Sequence, residues 1–475
     1  MKRGHFQLRV LGHETPRVIH YCGVLLLAIL GGFIYGCGGG TNVASPVSAP
    51  IGIAFSRPTP QATHTKSSPL PSPTIAPRPT PSPTPTHTPS PSPVPTPHPT
   101  PTRTPVMIGM RHVLTYAYLG LDGGASAPFG GYIPYLNWTM TGISTADAIS
   151  ALGIKTMVYT NPNRETTNSN LYTDDDSTFA HSCSGSRIQD SEGMYLMNPA
   201  SRDLWSLWAD ELTRYKSRGH VDAFESDDAD DVYGADATPC AYNTMDWLSA
   251  TISEDTAAGG PIVYNNLGLF GWDRVSPGIA LNASAIGGIM EKCYAERGNT
   301  PHIYGGYWRA IENTELQMAA AKKYLFCFAL SRTVGASAIA SRNFVYASFL
   351  LTYDPSTSIL LEDYPTRPSN FWVYPESGLV ALNPLVPAPA TISSLEVSSD
   401  VYAREYAACY VRGSYIGPCA AVVNPDSSSP HPLPLTGYHR AMTLNGGGVF
   451  DGGTMALNGP VPSSLSSLTG LVVFR

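Results

Sequence analysis

The spacing of apolar residues changes twice along this chain, and each change predicts a different kind of structure. From residue 106 to about 374, short apolar runs alternate with stretches whose apolar residues recur every three or four positions. The runs at 113–119, 154–160, 194–197, 221–226, 261–265, 285–291, 324–330 and 358–361 are strand candidates, the third being the weakest. Helical spacing fills 144–152, 243–257, 312–323 and 338–352. Another helix opens at Asn198-Pro199-Ala200-Ser201, with Leu204, Trp205, Trp208 and Leu212 at helical spacing. Eight strands alternating with helices predict an α/β fold, a (β/α)8 TIM barrel, over 106–374, with seven strands or an open sheet as the alternative, since the third and eighth runs are the softest. The polar stretch 163–193 is long for a connection and reads as a functional loop or an excursion pinned by Cys183. After about residue 375 the helical period disappears. Runs at 406–411, 420–424, 441–444 and 471–474 are separated by Asn424-Pro425-Asp426, Asn445-Gly446-Gly447-Gly448 and Asp451-Gly452-Gly453. They predict a small C-terminal antiparallel β domain, sandwich-like, over 375–475.

The first 105 residues follow neither pattern. Lys2, Arg3, Arg9 and Arg17 precede an apolar run at 24–35, short for a spanning helix and suited to a signal peptide within 1–40. Ile34-Tyr35-Gly36-Cys37 resembles a bacterial lipobox, which would make Cys37 the lipidated N-terminus of the mature chain. An ordinary signal peptide or an uncleaved anchor is the alternative. Residues 41–105 are low in complexity, and 57–105 hold 18 of the 43 prolines, alternating with Thr and Ser. Such a tract cannot build a core and favours extended polyproline geometry, with a reach on the order of 150 Å at ~3.1 Å per residue. Anchor and stalk together predict a protein at the cell surface or outside the cell, tethered to the membrane.

Charge sharpens this division. No acidic residue lies between Glu14 and Asp122, whereas 112–475 carry 20 Lys and Arg against 35 Asp and Glu, a net −15. An ordered region that acidic argues against a nucleic-acid partner and permits a neutral polymer. Six cysteines (Cys183, Cys240, Cys293, Cys327, Cys409 and Cys419) follow the prefix, an even number that suits disulfides in an exported domain. Cys409 and Cys419 flank Arg412-Gly413-Ser414, the arrangement of a bridge across a hairpin. No CxxC occurs, so the usual spacing of structural zinc is missing, and no cofactor or metal is expected. A monomer is expected.

The chemistry concentrates in Val221-Asp222-Ala223-Phe224-Glu225-Ser226-Asp227-Asp228. In a strand, Ala223, Glu225 and Asp227 share one face. Carboxylates at the C-terminal end of a strand in a parallel barrel stand where active sites form. The run at 285–291 ends in Gly287-Gly288-Ile289-Met290-Glu291, which brings a further carboxylate to the same rim. Paired carboxyl groups across a cleft are what glycosidic bond cleavage needs. Near strand ends, Tyr116, Tyr118 and Tyr159 offer faces for sugar rings, and Asn161 and Asn265 offer hydrogen bonds. Trp308, in Tyr304-Gly305-Gly306-Tyr307-Trp308, is a loop candidate for a sugar platform. Plainer alternatives stand beside these. The acidic cluster from Asp227 suits a solvated loop or a calcium site, Glu291 a buried salt bridge, the tyrosines core packing, and the asparagines turns. There is no G-x-S-x-G elbow, P-loop, H-E-x-x-H or dinucleotide fingerprint.

The 221–228 segment resembles the fourth strand of glycosyl-hydrolase-like barrels, among them the hypothetical glycosyl hydrolase families, such as the one numbered fifteen, and the polygalactosaminidase-like barrels. Asn198-Pro199-Ala200-Ser201-Arg202-Asp203-Leu204-Trp205 resembles the segment before that strand, and Gly288-Ile289-Met290-Glu291 the sixth strand. Tyr402-Ala403-Arg404-Glu405-Tyr406 with Ala421-Val422-Val423-Asn424-Pro425 resembles the C-terminal β domain of the same group. The resemblance covers about 112–475. It implies a glycoside hydrolase acting on an extracellular or cell-envelope polysaccharide or oligosaccharide, with Asp227 nucleophile-like and Glu291 as acid/base. Ala223 stands where that group usually has Gly, and Glu225 where an apolar residue is commoner. Glu225 is therefore either a second catalytic carboxylate or a group that tunes Asp227. Asp228 is expected to bind substrate. The competing expectation is a catalytically inactive, glycan-binding barrel lipoprotein.

Overall fold

The computed structural model describes residues 112–118, 133–165, 175–190, 193–227, 242, 244–265, 267–268, 277–282, 284–291, 293–296, 302–303, 305–329, 336–361 and 373–475. The anchor and stalk expectations, with Cys37, lie outside these residues, as does Asp228.

Eight parallel strands close on themselves in chain order: β1 (Leu114–Tyr118), β2 (Trp138–Thr141), β3 (Lys155–Thr160), β4 (Ala223–Ser226), β5 (Ile262–Tyr264), β6 (Ala285–Met290), β7 (Tyr324–Phe328) and β8 (Ser358–Leu361), with β8 pairing back onto β1. Both faces of such strands are covered, so they read as near-continuous apolar runs rather than alternating ones. Inside the ring one cluster gathers Tyr116, Trp138, Met157, Ala223, Val263, Ile289, Phe326 and Ile359, one from each strand. Outside, Val158, Phe224, Ile262, Leu325 and Leu360 belong to the layer shared with the helices.

The barrel expected from periodicity is thus present, but two of its strands differ from expectation. Trp138–Thr141 is the second strand and lies outside the expected set, its two threonines breaking what would be an apolar run. The 194–197 run is no barrel strand. Tyr195–Leu196 pairs antiparallel with Arg164–Glu165 in the excursion between β3 and β4. The miss and the false strand offset, so 223–226 is still the fourth strand and 285–290 the sixth.

The helices are α1 (Ile143–Ser150), α2 (Arg202–Arg218), α3 (Thr244–Ala258), the single turn α4 (Pro277–Ala280), α5 (Trp308–Ala320) and α6 (Ala336–Thr352). Ser201 caps α2, its hydroxyl accepting from the Leu204 N–H at 3.4 Å, and Leu204, Trp208 and Leu212 form the buried stripe. The N-cap of α1 is Gly142, which offers no side chain to cap the first turn.

A separate antiparallel sheet follows the barrel: β9 (Leu379–Pro384), β10 (Val401–Val411), β11 (Ser414–Asn424), β12 (Arg440–Asn445), β13 (Thr454–Gly459) and β14 (Thr469–Phe474), in the order β9-β10-β11-β14-β12-β13. Cys409 and Cys419 are bonded across the β10–β11 hairpin, as expected, and Arg412 and Gly413 both take positive φ at its turn. Helix α6 lies directly on this sheet. A Cβ on Gly470 of β14 would come within 2.7 Å of the Asn343 carbonyl oxygen. The Arg342 Nε donates to Glu376 Oε1 at 2.6 Å, and Arg404 Nη1 of β10 donates to the Leu351 carbonyl at 2.9 Å, both inside the seam. Among the described residues no helix is long and apolar enough to cross a membrane.

Candidate active site

Strand β4 delivers the first carboxylates. Phe224 points outward, where the Lys216 ammonium of α2 sits 5.6 Å from its ring centre, while Ala223 belongs to the inner cluster. Alternation then sends Glu225 and Asp227 inward with Ala223. Glu225 is fully buried. Asp227, one residue past the strand, is half-buried at the C-terminal rim, and its N–H donates to the Thr160 carbonyl at 3.0 Å.

Strand β6 delivers Glu291 by a less regular route. Ile286 and Ile289 both pack on the inner cluster although they are three residues apart, which plain alternation forbids. The register against β5 slips by one residue between the Ile262–Ala285 and Val263–Gly287 pairs, a β-bulge. Glycines make the bulge possible. A Cβ on Gly287 would collide with the Tyr324 carbonyl oxygen, and one on Gly288 would come within 2.8 Å of Leu267 Cδ2. With Ile289 turned inward, Glu291 faces the same rim two residues later.

Asn265, at the end of β5, joins the two. Its Nδ2 donates to Asp227 Oδ1 at 2.7 Å and to Glu291 Oε1 at 3.1 Å. An amide nitrogen carries two protons, so both bonds form at once. The two carboxylate oxygens are no further apart than these bonds laid end to end. That is shorter than the roughly 6.5–9.5 Å of inverting glycosidases and suits the about 5–5.5 Å of retaining ones. The Tyr159 hydroxyl donates to Asp227 Oδ2 at 2.8 Å. Donors at both oxygens therefore fix the plane of that carboxylate, from β3 on one side and β5 on the other.

The other residues singled out from sequence fall elsewhere. Tyr116 is no sugar platform. It is fully buried, stacked on Phe328 with ring centres 5.2 Å apart and edge-on to Phe326. Trp308 is likewise core: it opens α5 rather than a loop, is fully buried, donates through Nε1 to Ser348 Oγ at 2.8 Å and lies 4.7 Å from the Tyr402 ring. The glycines before it suggest exposure, and among the described residues of that segment Tyr307 is exposed while Trp308 is not. Asn161 accepts from the Asn163 N–H at 3.2 Å, the turn role. Tyr118 ends β1, and its side chain lies outside the described residues. Glu225 is fully buried, one step of the alternation below Asp227 on the inner face of β4.

Two features of the site carried no usable sequence signal. One is the bridging role of Asn265, which depends on three strand ends meeting. The other is the disulfide Cys293–Cys327, which ties the segment after Glu291 to β7. Cys183 is disulfide-bonded too.

Fold and site together define a parallel eight-stranded barrel with a bridged carboxylate pair at its C-terminal rim. No family model and no curated protein matches the chain. Among solved structures it is similar to the glycoside hydrolase domain of PelA from Pseudomonas aeruginosa, at 10% identity over 52% of this chain and 93% of that one, with a TM-score of 0.34. Aspergillus fumigatus Ega3 in complex with galactosamine overlaps at 15% identity, 56% of this chain, 94% of that one and a TM-score of 0.35. An alpha-amylase from Geobacillus thermoleovorans complexed with acarbose overlaps at 10% identity, 76% of this chain, 98% of that one and a TM-score of 0.39. Likeness at this level says nothing about chemistry.

Proposed function

We propose that this chain is a glycoside hydrolase acting on an extracellular or cell-envelope polysaccharide, with Asp227 as nucleophile and Glu291 as acid/base. The observation that carries the reading is the Asn265 amide bridging both carboxylates across the rim. In the first step Glu291 gives its proton to the glycosidic oxygen as that bond breaks. The Asp227 carboxylate attacks the anomeric carbon and forms a glycosyl ester. In the second step the ionised Glu291 takes a proton from water, whose oxygen attacks the same carbon and releases Asp227. Tyr159 and Asn265 hold Asp227 for the attack, and Glu225 supports it from the barrel interior. Tyr118 and Asp228 are placed by the reading among the substrate contacts.

The prefix completes the proposal. A lipid on Cys37 and a proline-rich stalk would hold the barrel and its β domain, 106–374 and 375–475, away from the membrane as a monomer. The disulfides of the domain suit an oxidising compartment. The acidic net charge of 112–475 suits a polymer without negative charge and no nucleic acid.

A hydrolysis screen of the chain against neutral and amino-sugar polysaccharides tests this. Release of new reducing ends, with the anomeric configuration retained in the first-formed product by NMR, is expected. Glycan that is retained but never cleaved would move the protein to the binding-only alternative.

A further inference from the structure

The chain leaving Glu291 is held in an unusual way. Tyr294, three residues on, takes φ of 65° although it is bulky and not glycine. Such backbone is unfavourable for a bulky side chain and persists only where its surroundings over-determine it. Here they do so from both sides. Cys293 is bonded to Cys327 of β7, and its N–H donates to the Phe328 carbonyl at 3.1 Å. The Tyr294 ring is fully buried, and its hydroxyl donates to Glu315 Oε2 of α5 at 2.7 Å. Glu315 is held in turn by the Thr352 hydroxyl of α6, 2.6 Å from the same oxygen and 2.9 Å from Glu312 Oε2. One hydroxyl proton serves one of these acceptors at a time, so the network holds together when a carboxyl carries its own proton.

We propose that Tyr294 is a positioning residue for Glu291: the Tyr294–Glu315 hydrogen bond and the Cys293–Cys327 disulfide pin the chain two and three residues beyond Glu291 and keep its carboxyl on the Asn265 amide. The catalytic consequence rests on the hydrolase reading above; the placement of the carboxyl does not. The reason for a strained tyrosine at this point is then functional. A relaxed connection would bury the same ring without fixing where the preceding rim residue sits.

The test uses the full chain and three variants. Tyr294→Phe removes only the hydroxyl, Glu315→Leu removes the acceptor, and Glu315→Gln keeps an acceptor oxygen. The first readout is the Asn265 side-chain amide resonance, assigned by its loss in Asn265→Ala. The second is the split between kcat and KM. Tyr294→Phe and Glu315→Leu are expected to shift the amide resonance and lower kcat about 10- to 100-fold with KM nearly unchanged, as misplacement of a reacting group does. Glu315→Gln is expected to stay near the parent in both. An Asn265 resonance that stays put in Tyr294→Phe, with only thermal stability lowered, would overturn the proposal and leave Tyr294 a packing residue. If Glu315→Leu does not fold, Tyr294→Phe still decides. If the parent cleaves nothing, the hydrolase reading fails while the amide resonance still answers the question of placement.

Discussion

At the scale of single residues the site turns on one amide. Asn265 is almost fully buried, and its two protons go to two different carboxyl groups, which otherwise face each other across the rim. Removing it leaves both acceptors short of a donor and loosens both side chains. Hydrogen bonds to charged groups are each worth about 1.5–3 kcal/mol. Asn265→Ala is accordingly expected to lower kcat/KM by roughly 10- to 100-fold, since about 1.4 kcal/mol is one factor of ten. Asn265→Asp is expected to be worse, because it adds a third carboxyl to the cluster. Steady-state kinetics of the two variants on any cleaved glycan would show this, and unchanged kinetics in Asn265→Ala would show that the bridge has no bearing on the reaction. Residue identity alone made Asp227, Glu291 and Asn265 stand out in the sequence, because each is a polar residue ending an apolar run. The same logic misjudged Tyr116 and Trp308. A tyrosine near a strand end looks the same whether it points to solvent or, as Tyr116 does, into the barrel interior against Phe328.

At the scale of elements, what could be read depended on length and on both faces being apolar. Strands β3 and β6 have six residues each with long apolar cores and were plain. Strand β2, Trp138-Thr139-Met140-Thr141, alternates large apolar and small polar residues over four positions, with every one of them buried. Its threonines satisfy themselves locally, Thr139 Oγ1 donating to the Ala117 carbonyl at 2.8 Å, so polarity here does not mean exposure. The false strand at 194–197 has the opposite fault. It is apolar because Leu196 packs with Ala180, Ile188 and Trp247 in a satellite core under the excursion, away from the barrel interior. Glu291 at the rim was expected, but the β6 bulge at Gly287-Gly288 that puts it there was not. One extra residue inverts the facing of everything after it and is what turns Glu291 to the rim. In the C-terminal sheet, the predicted runs 406–411 and 420–424 are the ends of two eleven-residue strands. Their other halves carry Arg404, Glu405 and Gly417 and so lacked an apolar signature.

Across the whole molecule, buried acid makes stability depend on pH. Glu254 and Asp255 of α3 are wholly buried; desolvation pushes the Asp255 carboxyl up to about 7 and raises Glu254 well above its ordinary range, Asp255 adding to the latter. Desolvation also raises Glu315 to about 7, and desolvation with the neighbouring Glu315 raises Glu312 well above the carboxylate range. The folded chain therefore keeps these protons to higher pH than the unfolded chain does. Between the ordinary values of 3.8–4.5 and about 7 the folded state binds more protons, so stability falls as pH rises through that window. Their contribution is intact below it and lost above it. Asp176, Asp354 and Asp426 act the other way, since their lowered carboxyls lose stability only in stronger acid. The melting temperature is expected to be higher near pH 5 than at pH 8, measured by calorimetry in matched buffers; a melting temperature that climbs steadily through the same window would contradict this. None of this was legible from sequence. Nothing about Glu254 or Glu315 in sequence marks them as buried; that follows only from which faces of α3 and α5 pack inward.

The central claim is that Asp227 and Glu291 form one reacting pair. The most direct measurement compares initial hydrolysis rates of the parent, Asp227→Asn and Glu291→Gln on the best substrate of the screen, with melting temperatures taken alongside. Both variants are expected to fold and to lose roughly 10²–10⁴-fold in kcat, the range for removing a positioned acid, base or nucleophile. Because the residues act as a unit, the double variant should be little worse than either alone. Rates that survive in both folded variants would contradict the account and place the chemistry elsewhere on the barrel rim.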